Sequence, residues 1–314
     1  MKFTVWGARG SHPMPLSPDA VRSKISTVVQ RIRPSDLATP ASRERFLASL
    51  PQWLFGTSGG NTACVQLELD DTRQIIFDAG SGIVNLASAQ ARRERSPTEY
   101  HIFFTHFHYD HVQGLPFFGH AYNPNVTIHF YSPLENLQEI LSHHMQHPYF
   151  PITMEDKMTP KMVFHHLTEP VMELFGATIR WRELNHPGRA FGYRVEHEGK
   201  SFGYVTDVEL QERDFEKSAE NAQFFSGLDV MILDAQYTLD EAIDKYNWGH
   251  SSFSLGVDFA VAWGTDRLFL FHHEPQYSDK KLEQNATSAR WYAHRVGGTD
   301  LCIDLAREGV TIDV

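Results

Sequence analysis

Thr105-His106-Phe107-His108-Tyr109-Asp110-His111 follows directly on the apolar run Tyr100 to Thr105. In an extended chain, residues two apart share a face, so His106, His108 and Asp110 converge from one strand end. His111 is displaced by one position and turns toward a second point once the chain leaves the strand. Four metal-competent side chains within six residues suit two adjacent ions better than one tetrahedral site. The chain carries 18 histidines in 314 residues. Histidine is the commonest metal ligand and the usual proton carrier near neutral pH, so their placement decides the reading.

Around that stretch, short β-rich runs recur, bounded by turn residues. They are Lys2 to Trp6, Ala63 to Leu69, Gln74 to Asp78, Tyr100 to Thr105, Thr127 to Tyr131, Thr178 to Arg182, Phe191 to Glu196, Phe202 to Thr206, Val230 to Asp234 and Leu268 to Phe271. Helix-compatible stretches fill later intervals at Leu134 to His147, Ser252 to Trp263 and Asp279 to Ala293. Strands outnumber helices early and helices fill in later, which predicts a layered α/β sandwich. Residues 13–56 stand apart. Six prolines punctuate two helix-like pieces near Asp19 to Arg33 and Ala41 to Leu50, and six basic residues face three acids. The segment reads as a basic helical insertion, either a solvated surface piece or a lid over a site elsewhere.

Composition narrows the function. Hydrophobic residues make up 41% and charged residues 21%, which excludes a disordered or fibrous chain. No apolar run is long enough to span a membrane. The net charge of −11 argues against a general binder of nucleic acid or anionic membrane. Cys64 and Cys302 cannot form a disulfide framework, and the opening residues carry no signal-peptide run, so a cytoplasmic setting is expected.

The ordered motifs resemble the metallo-β-lactamase superfamily. They are the histidine stretch, Ile76-Phe77-Asp78-Ala79-Gly80-Ser81-Gly82, Leu184-Asn185-His186-Pro187-Gly188, Val205-Thr206-Asp207 and the strand Arg267 to Phe271 ending in His272. The resemblance implies a four-layer αβ/βα sandwich over residues 1–314, with the 13–56 segment as an N-terminal helical insertion. It implies two divalent ions, zinc above all, with manganese or iron as alternatives. The first would take His106, His108 and His186; the second Asp110, His111 and His272; Asp207 would be shared. His273 is an open alternative to His272, because spacing does not separate the pair. Asp78 is expected to hydrogen-bond a ligand histidine from behind.

Val5-Trp6-Gly7-Ala8-Arg9-Gly10-Ser11, Gly59-Gly60-Asn61-Thr62, Gly114-Leu115-Pro116, Tyr149-Phe150-Pro151 and Gly192-Tyr193-Arg194 further resemble the phosphodiesterase branch. Asp234 and His250 resemble its acid pair. The implied reaction is attack on phosphorus by a hydroxide bridging the ions, with His250 protonating the departing oxygen, Asp234 holding its ring and Asp110 in the reaction centre. His250 precedes a helix whose positive end disfavours imidazolium, so a carboxylate partner is required. The expected substrate is a small phosphodiester such as a cyclic nucleotide, and a homodimer is expected by analogy. A tRNA 3′-processing endonuclease is the alternative, although only 20 residues separate His186 from Asp207, too few for a basic arm. Thioester or lactone hydrolysis and a metal-bearing accessory protein without turnover complete the alternatives. His101, His129 and His165, among others, lack ligand spacing and read as surface or core residues.

Overall fold

A computed structural model describes residues 1–93, 96–158 and 161–314. Fourteen strands form two seven-stranded sheets among the described residues. The first sheet contains β1 (Lys2–Gly7), β2 (Cys64–Glu68), β3 (Gln74–Phe77), β4 (Glu99–Phe103), β5 (Thr127–Ser132), β6 (Met162–His166) and β14 (Thr311–Asp313), in the spatial order β14-β1-β2-β3-β4-β5-β6. The second contains β7 (Val171–Leu174), β8 (Ala177–Leu184), β9 (Ala190–His197), β10 (Lys200–Val205), β11 (Val230–Asp234), β12 (Arg267–Phe271) and β13 (Cys302–Leu305), in simple sequence order. In each sheet the antiparallel strands lie on one side and a parallel set on the other: β3 to β6 in the first, β10 to β13 in the second.

Alternation along the strands builds the layers. One face of each sheet meets the other sheet, where Phe3, Phe77, Phe103 and Tyr131 pack against Tyr193, Phe202, Tyr204 and Phe271. On the outer face of the second sheet, Val205, Met231 and Leu270 pack against the helices Phe253–Trp263 and Asp279–Arg295. On the outer face of the first, Ile76, Ile102 and Phe130 meet the helices Gly82–Gln90 and Leu137–His144. Both faces of the central strands are therefore buried, which explains their near-continuous apolar runs. The four-layer αβ/βα order expected from the sequence is the one observed.

Departures from the sequence reading lie at the edges. β6, β7, β13 and β14 are short or polar, and all four end their sheets, so alternation is weak there. The helix expected from Leu134 begins only at Leu137, because Asn136 takes a left-handed backbone conformation (φ +58°) that holds its start back. In the 13–56 segment the two long helices are Pro18–Arg31 and Pro40–Ser49, capped by Ser17 and Thr39, and neither buries a residue. Lys24 anchors the first, reaching the carbonyls of Trp53 and Gly56 and the carboxylate of Asp279, each at 2.6 Å. No helix among the described residues is long and apolar enough to cross a membrane.

Candidate metal centre

The C-terminal ends of the parallel strands open onto one cleft, where doubly covered sheets commonly bind ligands. β3 leads into Asp78, β4 into the histidine stretch, β10 into Asp207, β11 ends in Asp234 and β12 leads into His272. Asp78, Asp207 and His272 all have left-handed backbones, at φ +60°, +57° and +56°. Such conformations are costly for residues with side chains and persist where surrounding structure enforces them. Here they turn three side chains off their strands toward a common point.

Two groups of donor atoms meet there. His106 Nε2 lies 3.0 Å from His108 Nδ1, and His186 Nε2 lies 3.2 Å from the same nitrogen. Beside them, His111 Nε2 is 3.4 Å from Asp110 Oδ2, and His272 Nε2 is 3.1 Å from that oxygen. Asp207 spans both groups. Its Oδ2 faces His106 and His186 at 3.6 and 3.8 Å, and its Oδ1 faces His111 and His272 at 3.2 and 3.4 Å. The seven side chains named from the sequence are thus brought together, and His272 is the member of the pair that joins them. His273 turns into the interior and bonds the Ala306 carbonyl at 2.8 Å.

The donor set fits divalent ions. Ligand atoms about 2.0–2.2 Å from zinc lie roughly 3.3 Å from one another in a tetrahedron, close to the separations just given. His111 Nε2 is fully buried and has no hydrogen-bond partner of acceptable geometry; burial opposes charge on this ring, but Asp207, Asp110 and Asp78 override it and raise its pKa well above the ordinary value. Among the described residues, no Lys or Arg pairs with Asp78, Asp110, Asp207 or Asp234. Burial lowers the pKa of His106, His108 and His186, keeping them in the neutral form that binds metal. Burial also opposes charge on His272, but Asp207 and the hydrogen bond to Asp110 override it and raise its pKa to about 9. The carboxylates therefore call for positive charge, which cations would supply.

Behind the donors stands a second set of contacts that orients the rings. Asp78 Oδ2 bonds His111 Nδ1 at 2.8 Å, as expected from the sequence. The Gly249 carbonyl holds His186 Nδ1 at 2.8 Å, Thr105 Oγ1 lies 3.0 Å from His106 Nδ1, and Gln236 Oε1 lies 3.2 Å from His272 Nδ1. The last three partners escaped sequence reasoning, since a backbone carbonyl or a lone glutamine carries no local pattern. The opening motif also finds a role. The Ser11 amide donates to Asp110 Oδ2 at 2.7 Å, while a Cβ on Gly10 would lie 2.5 Å from the His272 ring.

His250 stands over the cluster, its ring 4.8 Å from that of His272 and 5.1 Å from that of His186. Its Nδ1 lies 2.7 Å from Asp234 Oδ2. Asp234 is buried and also accepts the amides of Gln236 and Ser251, at 3.1 and 3.3 Å. Glu209 ties the loops together by accepting the amides of Asn247 and Gly249, at 3.1 and 2.9 Å. Asn61 and Thr62 turn instead to structural work. Asn61 bonds Glu308 and Ser81, and Thr62 bonds Gln113 and Ser81. Phe150 packs edge-on against Phe117.

Two back-to-back mixed sheets with a histidine–aspartate cluster at the strand ends define the metallo-β-lactamase fold. The model of the beta-lactamase superfamily domain matches residues 73–273, and the chain belongs to the metallo-β-lactamase superfamily. Ribonuclease Z of Staphylococcus aureus (strain MSSA476) is 30% identical over 159 residues, 45% of this chain and 47% of that protein. The chain thus spans about half the length of the curated relatives it matches. Among solved structures, Zn(2+)-bound PqqB from Methylobacterium extorquens superposes with a TM-score of 0.67 at 13% identity, covering 100% of both chains. A diphosphatase from the PhnP family superposes at 0.63 and 18% identity, covering 100% of this chain and 97% of that one. At these identities the likeness to the solved structures is one of fold.

Proposed function

We propose that this chain is a metal-dependent phosphodiesterase acting on small diesters such as cyclic nucleotides. His106, His108 and His186 would hold one divalent ion and Asp110, His111 and His272 a second, with Asp207 between them. Zinc suits this nitrogen and oxygen set, with manganese or iron as alternatives. Bound there, such a pair supplies Lewis-acid polarisation of the phosphoryl oxygens and activates water.

The observation that carries the reading is the Asp234–His250 pair beside both donor groups. An alkoxide leaves poorly without a proton, and a phosphodiester releases one; a thiolate needs no such help. His250 donates from Nε2 to the departing oxygen while Nδ1–H bonds Asp234. The carboxylate offsets the unfavourable positive end of the helix Phe253–Trp263, which begins three residues on. Tyr109 and Trp248, adjacent in sequence to His108 and Gly249, are 76% and 62% exposed and offer apolar faces for a base.

The test is a screen of zinc- and manganese-loaded protein against bis-p-nitrophenyl phosphate, cyclic mono- and dinucleotides, linear dinucleotides and tRNA precursors. Turnover of a small diester is expected. If none of these is cleaved by either metal form, the reading is wrong. The similarity to ribonuclease Z favours a second reading, tRNA 3′-end cleavage, which would show as strong preference for the precursors. Against it stand the net charge of −11 and the short interval between His186 and Asp207.

A further inference from the structure

At the opposite end of the first sheet, strand alternation gathers another set of donors. Glu99 and His101 share a face of β4, and His129 is the register partner of His101 on β5. His165 on β6 and Tyr131 on β5 complete the group. The sequence offers no ligand spacing here, because the residues come from three strands that only pairing aligns. His101 precedes His106 by five residues, roughly 15 Å of extended chain, so this group is separate from the strand-end cluster.

The geometry points to a further divalent-metal site built from Glu99, His101 and His129. Both imidazole Nε2 atoms lie 3.2 Å from the same oxygen, Glu99 Oε1. All three donor atoms lie within 4.8 Å of one another. The two nitrogen–oxygen separations match the edge of roughly 3.3 Å expected for ligands around zinc. Each ring is held from behind, as metal-binding histidines usually are. His101 Nδ1 lies 2.9 Å from Tyr131 Oη, and His129 Nδ1 lies 2.9 Å from His165 Nε2.

Those two partners make binding inexpensive in hydrogen bonds. A tyrosine hydroxyl and a neutral imidazole each donate or accept. Without an ion, the His101 Nε2–H donates to Glu99 while its Nδ1 accepts, and His129 Nε2 lies 3.2 Å from the same oxygen without hydrogen-bond geometry. With an ion at Nε2, each ring takes the other tautomer, and Nδ1–H donates to the Tyr131 oxygen or to His165 Nε2. Either tautomer of each ring thus has a partner able to match it. The rings now stack 4.6 Å apart and nearly parallel, so an ion between them requires each to turn about its Cβ–Cγ bond. Glu99 is exposed and free to follow, and it leaves the ion open to water on its outer side. Phe175 closes the inner side, edge-on to His101 at 4.8 Å. The class of ligand is a borderline divalent cation such as zinc, and its effect is to clasp β4 to β5.

The test counts bound zinc by elemental analysis after desalting. Wild-type protein is expected to hold one more zinc per chain than the E99Q/H129N double variant, with hydrolysis of bis-p-nitrophenyl phosphate equal in the two. In an H106A/H186A/H111A/D207A background, which strips donors from both strand-end groups, one zinc per chain should remain, and adding H129N should release it. Equal zinc content in wild type and E99Q/H129N would overturn the site. The single variant E99Q, altered only at a solvent-facing strand start, guards against misfolding and should by itself weaken zinc retention. The readout is metal content, so it stands or falls independently of whether the protein proves to be a phosphodiesterase.

Discussion

His250 tests the acid role most sharply, because the need for a proton depends on what departs. Removing a general acid costs about 10²–10⁴-fold where the leaving oxygen is basic. His250→Ala should therefore lose activity of that order on a diester with an alkoxide leaving group, and far less on bis-p-nitrophenyl phosphate, whose phenolate leaves unaided. Parallel kcat measurements on the two substrates check this, and equal losses would assign His250 a structural role. Gly249 makes a second point at this scale. It sits at φ +90°, and a Cβ there would lie 2.2 Å from His186 Nδ1. Gly249→Ala should push His186 off its carbonyl partner and weaken metal retention by roughly 10–100-fold, the usual cost of disturbing the support behind a ligand. Titration against a competing chelator measures it. The H-x-H-x-D-H pattern was legible because it is local, but the alternation expected of a strand does not present it. β4 ends at Phe103, and a loop and the short helix Tyr109–Val112 carry the stretch, which puts Asp110 with His111 and not with His106 and His108. The choice between His272 and His273 was not legible, since it depends on a left-handed turn at the end of β12.

Among the elements, the helix Pro18–Arg31 depends on a single buried contact more than on its own face. It buries no residue, and Val21, Ile25 and Val29 remain exposed along it. Lys24 fixes it to Asp279, whose side chain is 1% exposed in that pair. Lys24→Met leaves the carboxylate with the Ser58 amide and the Thr57 hydroxyl only, at 2.8 and 3.2 Å. Loss of about 2 kcal/mol is expected, since a buried charge deprived of its partner is costly. Urea unfolding of wild type and variant gives the difference directly, and a change below about 0.5 kcal/mol would show the contact to be incidental. The central strands were legible from their apolar runs. The edge strands were not, because β7 and β14 run for only four and three residues, too few for a periodicity to show.

For the whole molecule, ions that bind only the folded chain stabilise it by mass action. Free zinc at about 100 times Kd should add roughly 2.7 kcal/mol, so chelation should lower the unfolding midpoint and zinc should restore it. Calorimetry with and without EDTA checks this, and an unchanged midpoint would remove the metal from the account. Stability should also respond to pH through His273. Burial, reinforced by the charge of Arg9, pushes its pKa down to about 3 from the ordinary 6.5. A depressed pKa stabilises the fold above the unfolded value, and that stability is lost as pH falls from about 6.5 toward 3, by up to about 1.4 kcal/mol per pH unit. His273→Gln can still donate to the Ala306 carbonyl and should flatten this decline in denaturant titrations between pH 7.5 and 5. By itself the chain of letters determined a layered α/β class and the histidine–aspartate pattern, because periodicity and spacing act over a few residues, while the four-layer order followed from the resemblance those motifs carry. Only the tertiary structure decided that Gln236 and Gly249 orient ligand rings, that Glu209 joins the loops, and that Glu99 meets His101 and His129. Each of those contacts joins segments separated in sequence or depends on strand register, and register is a property of packed sheets.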